Sequence, residues 1–375
     1  MNLVYCDHAA TTPVKKEVLQ EMMPYFCENY GNGSSIYSIG RTSKRAIDTA
    51  RHKVAVSIGA KDKEIYFTSC GSESDNLAIK GIAKANSEKG NHIITSKIEH
   101  PAVLNTCRSL EKDGFEVTYL NVDKNGIVDL EELKNSIKDE TILISIMFAN
   151  NEIGTIQPIK EISKIAKENN IIFHTDAVQA VGNVRINVEE LGIDLLSMSA
   201  HKFYGPKGVG ALYVRSGVDF SKIQDGGHQE RNKRAGTENV AGIVGTGKAI
   251  EIATQNIENY NSKLLKLRNY FITEIKSIYP QVIINGDLNN RLPGNINISL
   301  PDVDAEELLL KLDSQNICAS AGSACSSGSS EPSHVLVAIG LEEKYALGTL
   351  RFTFGEQNNI DEIRYVINTI KSILE

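Results

Sequence analysis

Lys202 sits in Ser199-Ala200-His201-Lys202, between the apolar run Leu195–Ser199 and a Gly-rich turn, Gly205-Pro206-Lys207-Gly208. An amine at the carboxyl end of a buried strand is placed to form a Schiff base with a carbonyl compound. Most lysines are solvated surface residues, so the neighbours decide. Asp176 closes the run Ile171–Thr175, 26 residues earlier, about one strand–helix–strand unit away. A pyridoxal ring held by such a lysine needs a carboxylate against its pyridine nitrogen to stay protonated and electron-withdrawing. Alone, Asp176 would read as the cap of a following helix; with Lys202 it reads as the ring's partner.

Three further stretches suit the same coenzyme. In Thr68-Ser69-Cys70-Gly71-Ser72-Glu73-Ser74-Asp75, small residues lie between a strand and a helix. There, backbone N–H groups and the Ser72 hydroxyl can meet a phosphate at the helix start, although Ser72 with Asp75 also resembles an ordinary capping pair. Ser199 and His201 flank the lysine turn and would complete the phosphate cup. His100, in Glu99-His100-Pro101, follows the run His92–Ser96, so it reaches the same rim and could stack on the ring and shuttle protons. Such a histidine is otherwise an ordinary loop residue.

Two residues point to a substrate. Cys325 lies in the stretch 319–330, which is built of Ala, Gly and Ser apart from that cysteine. With no large side chain to anchor it, the stretch reads as a mobile loop. A thiol there suits a nucleophile that approaches a substrate and withdraws. Arg351, within the apolar run Leu350-Arg351-Phe352-Thr353, reads as partly buried and in need of a carboxylate. That carboxylate is either an amino acid's α-carboxylate or the partner in a salt bridge between domains.

These residues require a scaffold that brings strand ends together. Short apolar runs are predicted as strands at Glu64–Ser69, His92–Ser96, Glu116–Leu120, Thr141–Met147, Ile171–Thr175, Leu195–Ser199 and Gly210–Val214. Helical stretches separate several of them: Asp75–Ala85, Pro101–Lys112, Leu130–Lys138 and Ile159–Asn169. The alternation predicts a mostly parallel α/β sheet, whose ligands sit at the strands' carboxyl ends. Apolar residues at steps of three and four make 256–279 one long amphipathic helix, ending at Pro280. It leads into shorter elements (Val282–Ile284, Asn295–Leu300, Ala305–Gln315, Thr349–Thr353, Asp361–Leu374) that read as a smaller α+β domain. The expected division is 14–255 for the large, cofactor-binding domain, with 1–13 and 256–375 forming the small one.

Composition narrows the function class. The 375 residues are 41% hydrophobic and 23% charged, ordinary for a chain that buries a core. A net charge of −7 argues against a general nucleic-acid binder. The basic stretch from Arg231 to Arg234 reads as a solvated loop. No apolar run approaches the roughly 20 residues of a membrane span. The start, Met1-Asn2-Leu3-Val4-Tyr5-Cys6-Asp7, lacks the pattern of a secretory signal. The six cysteines (6, 27, 70, 107, 318, 325) show no metal-ligand spacing. They read as reduced cytoplasmic thiols, most of them buried.

The chain resembles a known family end to end. Asp7 to Pro13, Thr68 to Asn76, Glu99-His100, Asn150-Asn151-Glu152-Ile153-Gly154, Asp176 to Gln179, Ser199 to Lys202 and Ser323-Ala324-Cys325 match, in order, the cysteine desulfurases of the NifS/IscS type. The long Ser/Gly-rich cysteine loop is similar to the first of the family's two groups. The resemblance implies a fold-type I aminotransferase architecture (class V), with a mostly parallel seven-stranded sheet and a smaller α+β domain. It implies a homodimer that uses pyridoxal 5'-phosphate and converts L-cysteine to L-alanine, leaving sulfur as a persulfide for iron–sulfur cluster assembly or other acceptors. On this resemblance Lys202 corresponds to the Schiff-base lysine, Asp176 to the pyridinium partner and His100 to the stacking histidine. Gly71, Ser72, Ser199 and His201 correspond to phosphate contacts, and Thr237 to a phosphate contact donated across the dimer. Asn151 and Gln179 correspond to the groups that hold the ring's substituents, and Asn151 with Arg351 to those that bind the substrate. Cys325 corresponds to the sulfur acceptor; no resident metal is implied, though that cysteine is a potential transient ligand of an iron–sulfur cluster.

Cys70 stands where the family usually has glycine, Gly33 where proline is common and Tyr37 where histidine is frequent. Gly355-Glu356-Gln357 lacks the usual arginine after its glycine. None of these removes a catalytic role. A selenocysteine lyase or an aminotransferase on the same scaffold, or a catalytically silent sulfur-relay protein, are the rival readings. An aminotransferase has no need of Cys325.

Overall fold

A computed structural model describes residues 3–321 and 332–375. Its strands, in chain order, are β1 (Val4–Tyr5), β2 (Ile65–Thr68), β3 (His92–Ser96), β4 (Glu116–Leu120), β5 (Thr141–Ser145), β6 (Ile172–Asp176), β7 (Leu195–Ser199), β8 (Gly210–Val214), β9 (Ile283–Ile284), β10 (Asn295–Ser299), β11 (Ile317–Cys318) and β12 (Thr349–Thr353). Seven of them form one sheet in the order β2-β8-β7-β6-β5-β3-β4. β3 pairs in parallel with β4 and β5, as do β5 with β6 and β6 with β7. β8 runs antiparallel to both of its neighbours.

Every residue of β3, β5, β7 and β8 is buried, as expected for strands covered on both faces. One face packs into a core with Ile144, Phe173, Leu196 and Ala211, and the other into a core with Ile93, Leu143, Leu195 and Leu212. β1, β10, β11, β12 and the long helix Ile257–Ile278 surround a separate core built on Phe271, Ile298, Phe352 and Ile367. In it β10 pairs antiparallel with both β9 and β12, while β1 pairs in parallel with β11. The seven-stranded sheet agrees with the predicted fold class.

Three expectations need correction. The helix predicted from Asp75 starts at Gly71, so all of the supposed linker after Cys70 is already helical. Among the described cysteines only Cys6 and Cys107 are buried; Cys27 is exposed, and Cys70 and Cys318 are half-buried. The stretch Arg231 to Arg234 is anchored rather than freely solvated. Arg231 donates to the Ile65 carbonyl at 2.6 Å and lies 4.0 Å from the Tyr66 ring centroid, while Arg234 pairs with Glu73 at 2.6 Å. Glu230, just before it, forms a bidentate pair with Arg51, both bonds 2.7 Å. A planar fork meeting a carboxylate edge on is the geometry that suits burial of such a pair.

Candidate active site

The strands order the site. At their carboxyl ends a cavity of about 260 Å³ gathers Gly71, Ser72, Asp75, His100, Asn151, Asp176, Gln179, Ser199, His201, Lys202 and Arg351. Larger clefts of about 900 and 830 Å³ lie elsewhere, lined by helix ends and loops that include none of these residues. Thr237 is exposed and is not among the residues lining the cavity. Cys325 and most of the predicted loop, 322–330, fall outside the described residues. The part of that stretch which is described is not loose: Ser320 is buried and exchanges two backbone hydrogen bonds with Arg351.

Lys202 follows β7 in a short 3-10 turn, and its ammonium donates to the carbonyls of Ala9 and Ala10. Gln179 donates to the same Ala9 carbonyl at 3.0 Å, so the segment after β1 crosses the cavity mouth. Asp176 ends β6 on the neighbouring strand. Its carboxylate accepts from the Val178 amide at 2.9 Å, a local turn rather than the cap of a helix. Burial raises its proton affinity, while His100, the Val178 amide and Lys202 oppose that rise. His100 caps the helix Pro101–Lys112, Nδ1 accepting from the Ala102 amide at 3.1 Å. Burial lowers its pKa, Asp176 opposes the drop, and Lys202 and His334 add to it.

The residues present fit a phosphorylated pyridoxal. The helix Gly71–Ala85 begins with Cys70 as N-cap and no side-chain capping bond, which frees first-turn N–H groups for an anion. The Ser72–Asp75 capping pair does not form; Asp75 is instead 1% exposed. A Cβ on Gly71 would sit 2.7 Å from Val178 Cγ2, so only glycine keeps the cup open. His201 sits across the cup, Nδ1 3.1 Å from Thr11 Oγ1, with its pKa lowered to about 4 by burial, Lys202 and Lys207.

Behind Asp176 lies a buried polar layer that spacing did not reveal. His174 bridges Ser145 (2.8 Å) and Ser197 (3.0 Å), and burial lowers its pKa to about 3. Asp75 Oδ1 lies 3.8 Å from His174 Nε2 and accepts no hydrogen bond among the described residues. Burial first, then the nearby Asp176, pushes the Asp75 pKa well up. Glu99 Oε1 accepts from Ser96 (2.6 Å) and the Met147 amide (2.9 Å), and Oε2 has no hydrogen-bond partner among the described residues. Its pKa is pushed up to about 8, chiefly by burial.

A carboxyl whose folded pKa exceeds its unfolded value binds its proton more tightly in the fold. Glu99 therefore contributes its full stability below about pH 4.5, and that contribution is lost as pH rises toward 8. The loss is at most about 1.4 kcal/mol per pH unit. Glu99→Gln keeps an acceptor for Ser96 and Met147 without a titrating proton. Urea midpoints of this variant should stay flatter than wild type between about pH 5 and about pH 8. Parallel profiles for the two proteins would show that Glu99 does not titrate in this range.

Arg351, from β12, is 1% exposed. Its Nη1 donates to the Asn151 carbonyl at 3.1 Å and its Nη2 to Asp7 at 2.8 Å. It thus lines the cavity and pairs with Asp7, a residue of the same expected small domain, so this salt bridge is not the one between domains that the sequence suggested. Among the described residues no group of three or more His, Cys, Asp or Glu could hold a metal ion, and no helix is long and apolar enough to cross a membrane.

A strand-end lysine, a buried aspartate on the next strand and an open helix start define a pyridoxal enzyme of the aminotransferase type. The chain belongs to the class-V aminotransferase family, whose model matches residues 4–366, and that family is pyridoxal phosphate-dependent. It is 58% identical over 372 residues to the cysteine desulfurase IscS of Methanosarcina thermophila, covering 99% of this chain and 92% of that protein. It is 56% identical over 374 residues to the cysteine desulfurase IscS of Clostridium botulinum (strain Hall), covering 99% and 94%. A solved structure described as a NifS-like protein superposes with a TM-score of 0.94 at 38% identity, covering 99% of each chain.

Proposed function

We propose that this protein is a pyridoxal phosphate-dependent cysteine desulfurase that converts L-cysteine to L-alanine and loads the sulfur on Cys325 as a persulfide. The observation that carries this reading is the convergence of Lys202, Asp176, His100 and Arg351 on one cavity. Residues 14–255 would hold the cofactor, with 1–13 and 256–375 as the smaller domain. Lys202 would hold the cofactor covalently, Asp176 would face its pyridine nitrogen and His100 its ring. Gly71, Ser72, Ser199 and His201 would take the phosphate, joined by Thr237 from the second subunit of a homodimer. Asn151 and Gln179 would fix the ring's substituents. When bound, the cofactor supplies an electron sink for the substrate's Cα.

The chain's own groups do the rest. Arg351, with Asn151, binds and orients the α-carboxylate. Lys202 removes the proton from Cα. Cys325 as thiolate attacks the substrate Sγ: the S–S bond forms, the Cβ–S bond breaks, and the carbon fragment is protonated and leaves as alanine. The described cysteines are all free thiols, in keeping with a cytoplasmic enzyme. An iron–sulfur scaffold protein is one acceptor for the persulfide.

The test is incubation of the holoenzyme with L-cysteine, followed by mass spectrometric mapping of the extra sulfur. The added 32 Da of one sulfur atom (roughly, from its atomic mass) should fall on the peptide bearing Cys325. Cys325→Ala should lose that label and nearly all alanine formation, by about 10³-fold or more. Sulfur mapped to Cys70 instead would sink the assignment.

A further inference from the structure

With Arg351 taken as the clamp for the substrate's α-carboxylate, the reading on which this inference rests, its guanidinium already holds a carboxylate. Asp7 Oδ1 takes Nη2 at 2.8 Å, the Asn151 carbonyl takes Nη1 at 3.1 Å, and Nε is buried with no hydrogen-bond partner among the described residues. The second Asp7 oxygen accepts from Ser320 Oγ at 2.8 Å. Backbone bonds fix all three residues at the edge of β12: Asp7 bridges Thr353, and Ser320 bridges Arg351. Backbone pairing therefore keeps Asp7 beside the guanidinium.

We propose that Asp7 is a positioning residue that acts through Arg351, as a resident carboxylate sharing the guanidinium with the amino acid's α-carboxylate and weakening its hold. A buried arginine needs a counter-ion while the site is empty, and Asp7 supplies it. An arriving carboxylate then meets a charge already neutralised, and a like charge beside it. Substrate L-cysteine and product L-alanine carry the same carboxylate, so a stronger clamp would bind both alike. Such uniform binding lowers KM and slows product release without helping the chemical step. Asp7 sets the clamp for turnover.

The test is calorimetric binding of L-alanine and of ethylamine, which lacks the carboxylate, to wild-type and Asp7→Asn holoenzyme, with steady-state kinetics alongside. Asp7→Asn should bind L-alanine roughly tenfold or more tightly. KM for L-cysteine should fall in step, kcat should fall as product release slows, and ethylamine binding should not change. Weaker L-alanine binding, or an equal change for ethylamine, overturns the proposal. Should Asp7→Asn not fold, Asp7→Ser removes the same charge and is judged by the same outcomes, with Asp7→Glu as the control that keeps it. Arg351→Leu separates the role of the clamp from the role of Asp7. If wild-type selectivity for L-alanine over ethylamine survives that change, the assignment of Arg351 as carboxylate clamp fails, and the Asp7 proposal falls with it.

Discussion

Lys202→Ala is expected to yield a folded protein that has lost the visible absorbance of lysine-bound pyridoxal and at least about 10³-fold in the rate of alanine formation. Two functions disappear with one amine. Among the described residues no other amine lines the cavity with Asp176 and His100, so nothing else there can form a Schiff base with an aldehyde. His100 is a poor substitute as base, because its Nδ1 already accepts from the Ala102 amide. The fold should survive, since Lys202 is only half-buried and its ammonium reaches two carbonyls, Ala9 and Ala10, at the cavity mouth. Far-ultraviolet circular dichroism, the absorbance spectrum and alanine release check the three parts separately. A variant that keeps its colour and turns over would remove the residue on which the site is built.

The sheet was legible because its strands are continuous apolar runs ended by polar residues. β3, β4, β7 and β8 have the bounds that their runs predicted. The helix Val240–Gln255 gave no comparable signal: it is apolar around most of its circumference, so no face repeats at 3.6 residues. What seats it is close approach. A Cβ on Gly247 would lie 2.7 Å from Ala50 Cα in the helix Ser38–Ser57, a contact between segments nearly two hundred residues apart. Lys202, Asp176 and His100 were legible for a related reason: each terminates a strand or follows one, and strand ends in an α/β sheet share one rim.

The charge pairs were not legible. Asp7 and Arg351 are 344 residues apart and Arg51 and Glu230 are 179 apart, so no spacing connects them. Asp75 and Glu99 lie within the family-like motifs, yet Asp75 read as part of a capping pair and Glu99 suggested no role of its own. Only burial shows them to be carboxyls without counter-ions. The stretch at 319–330 misled at its start, because small residues can pair along a strand edge as Ser320 does. An expectation of mobility drawn from side-chain size ignores the backbone's own hydrogen bonds.

That buried layer leads to the second large effect, at Asp176. Three carboxyls crowd behind the ring site, and they cannot all be ionised in a low-dielectric interior. Asp75 and Glu99 both have pKa values raised by burial and by Asp176, with no cation among the described residues opposing it. Asp176 alone has Lys202 and His100 pulling it toward the charged form. Burial thus favours the protonated forms of Asp75 and Glu99, while Asp176 is the carboxyl whose charge Lys202 and His100 favour. Asp176→Asn removes that charge where a pyridine nitrogen would need it, and kcat should fall by about 10² to 10³ with weaker cofactor retention. Asp75→Asn replaces a carboxyl whose charged form burial disfavours with a neutral amide, and its rate should stay within about tenfold of wild type. Alanine formation and cofactor loss on dialysis give both comparisons. Near-normal turnover in Asp176→Asn, or equal losses in the two variants, would mean that the charge does not reside on Asp176.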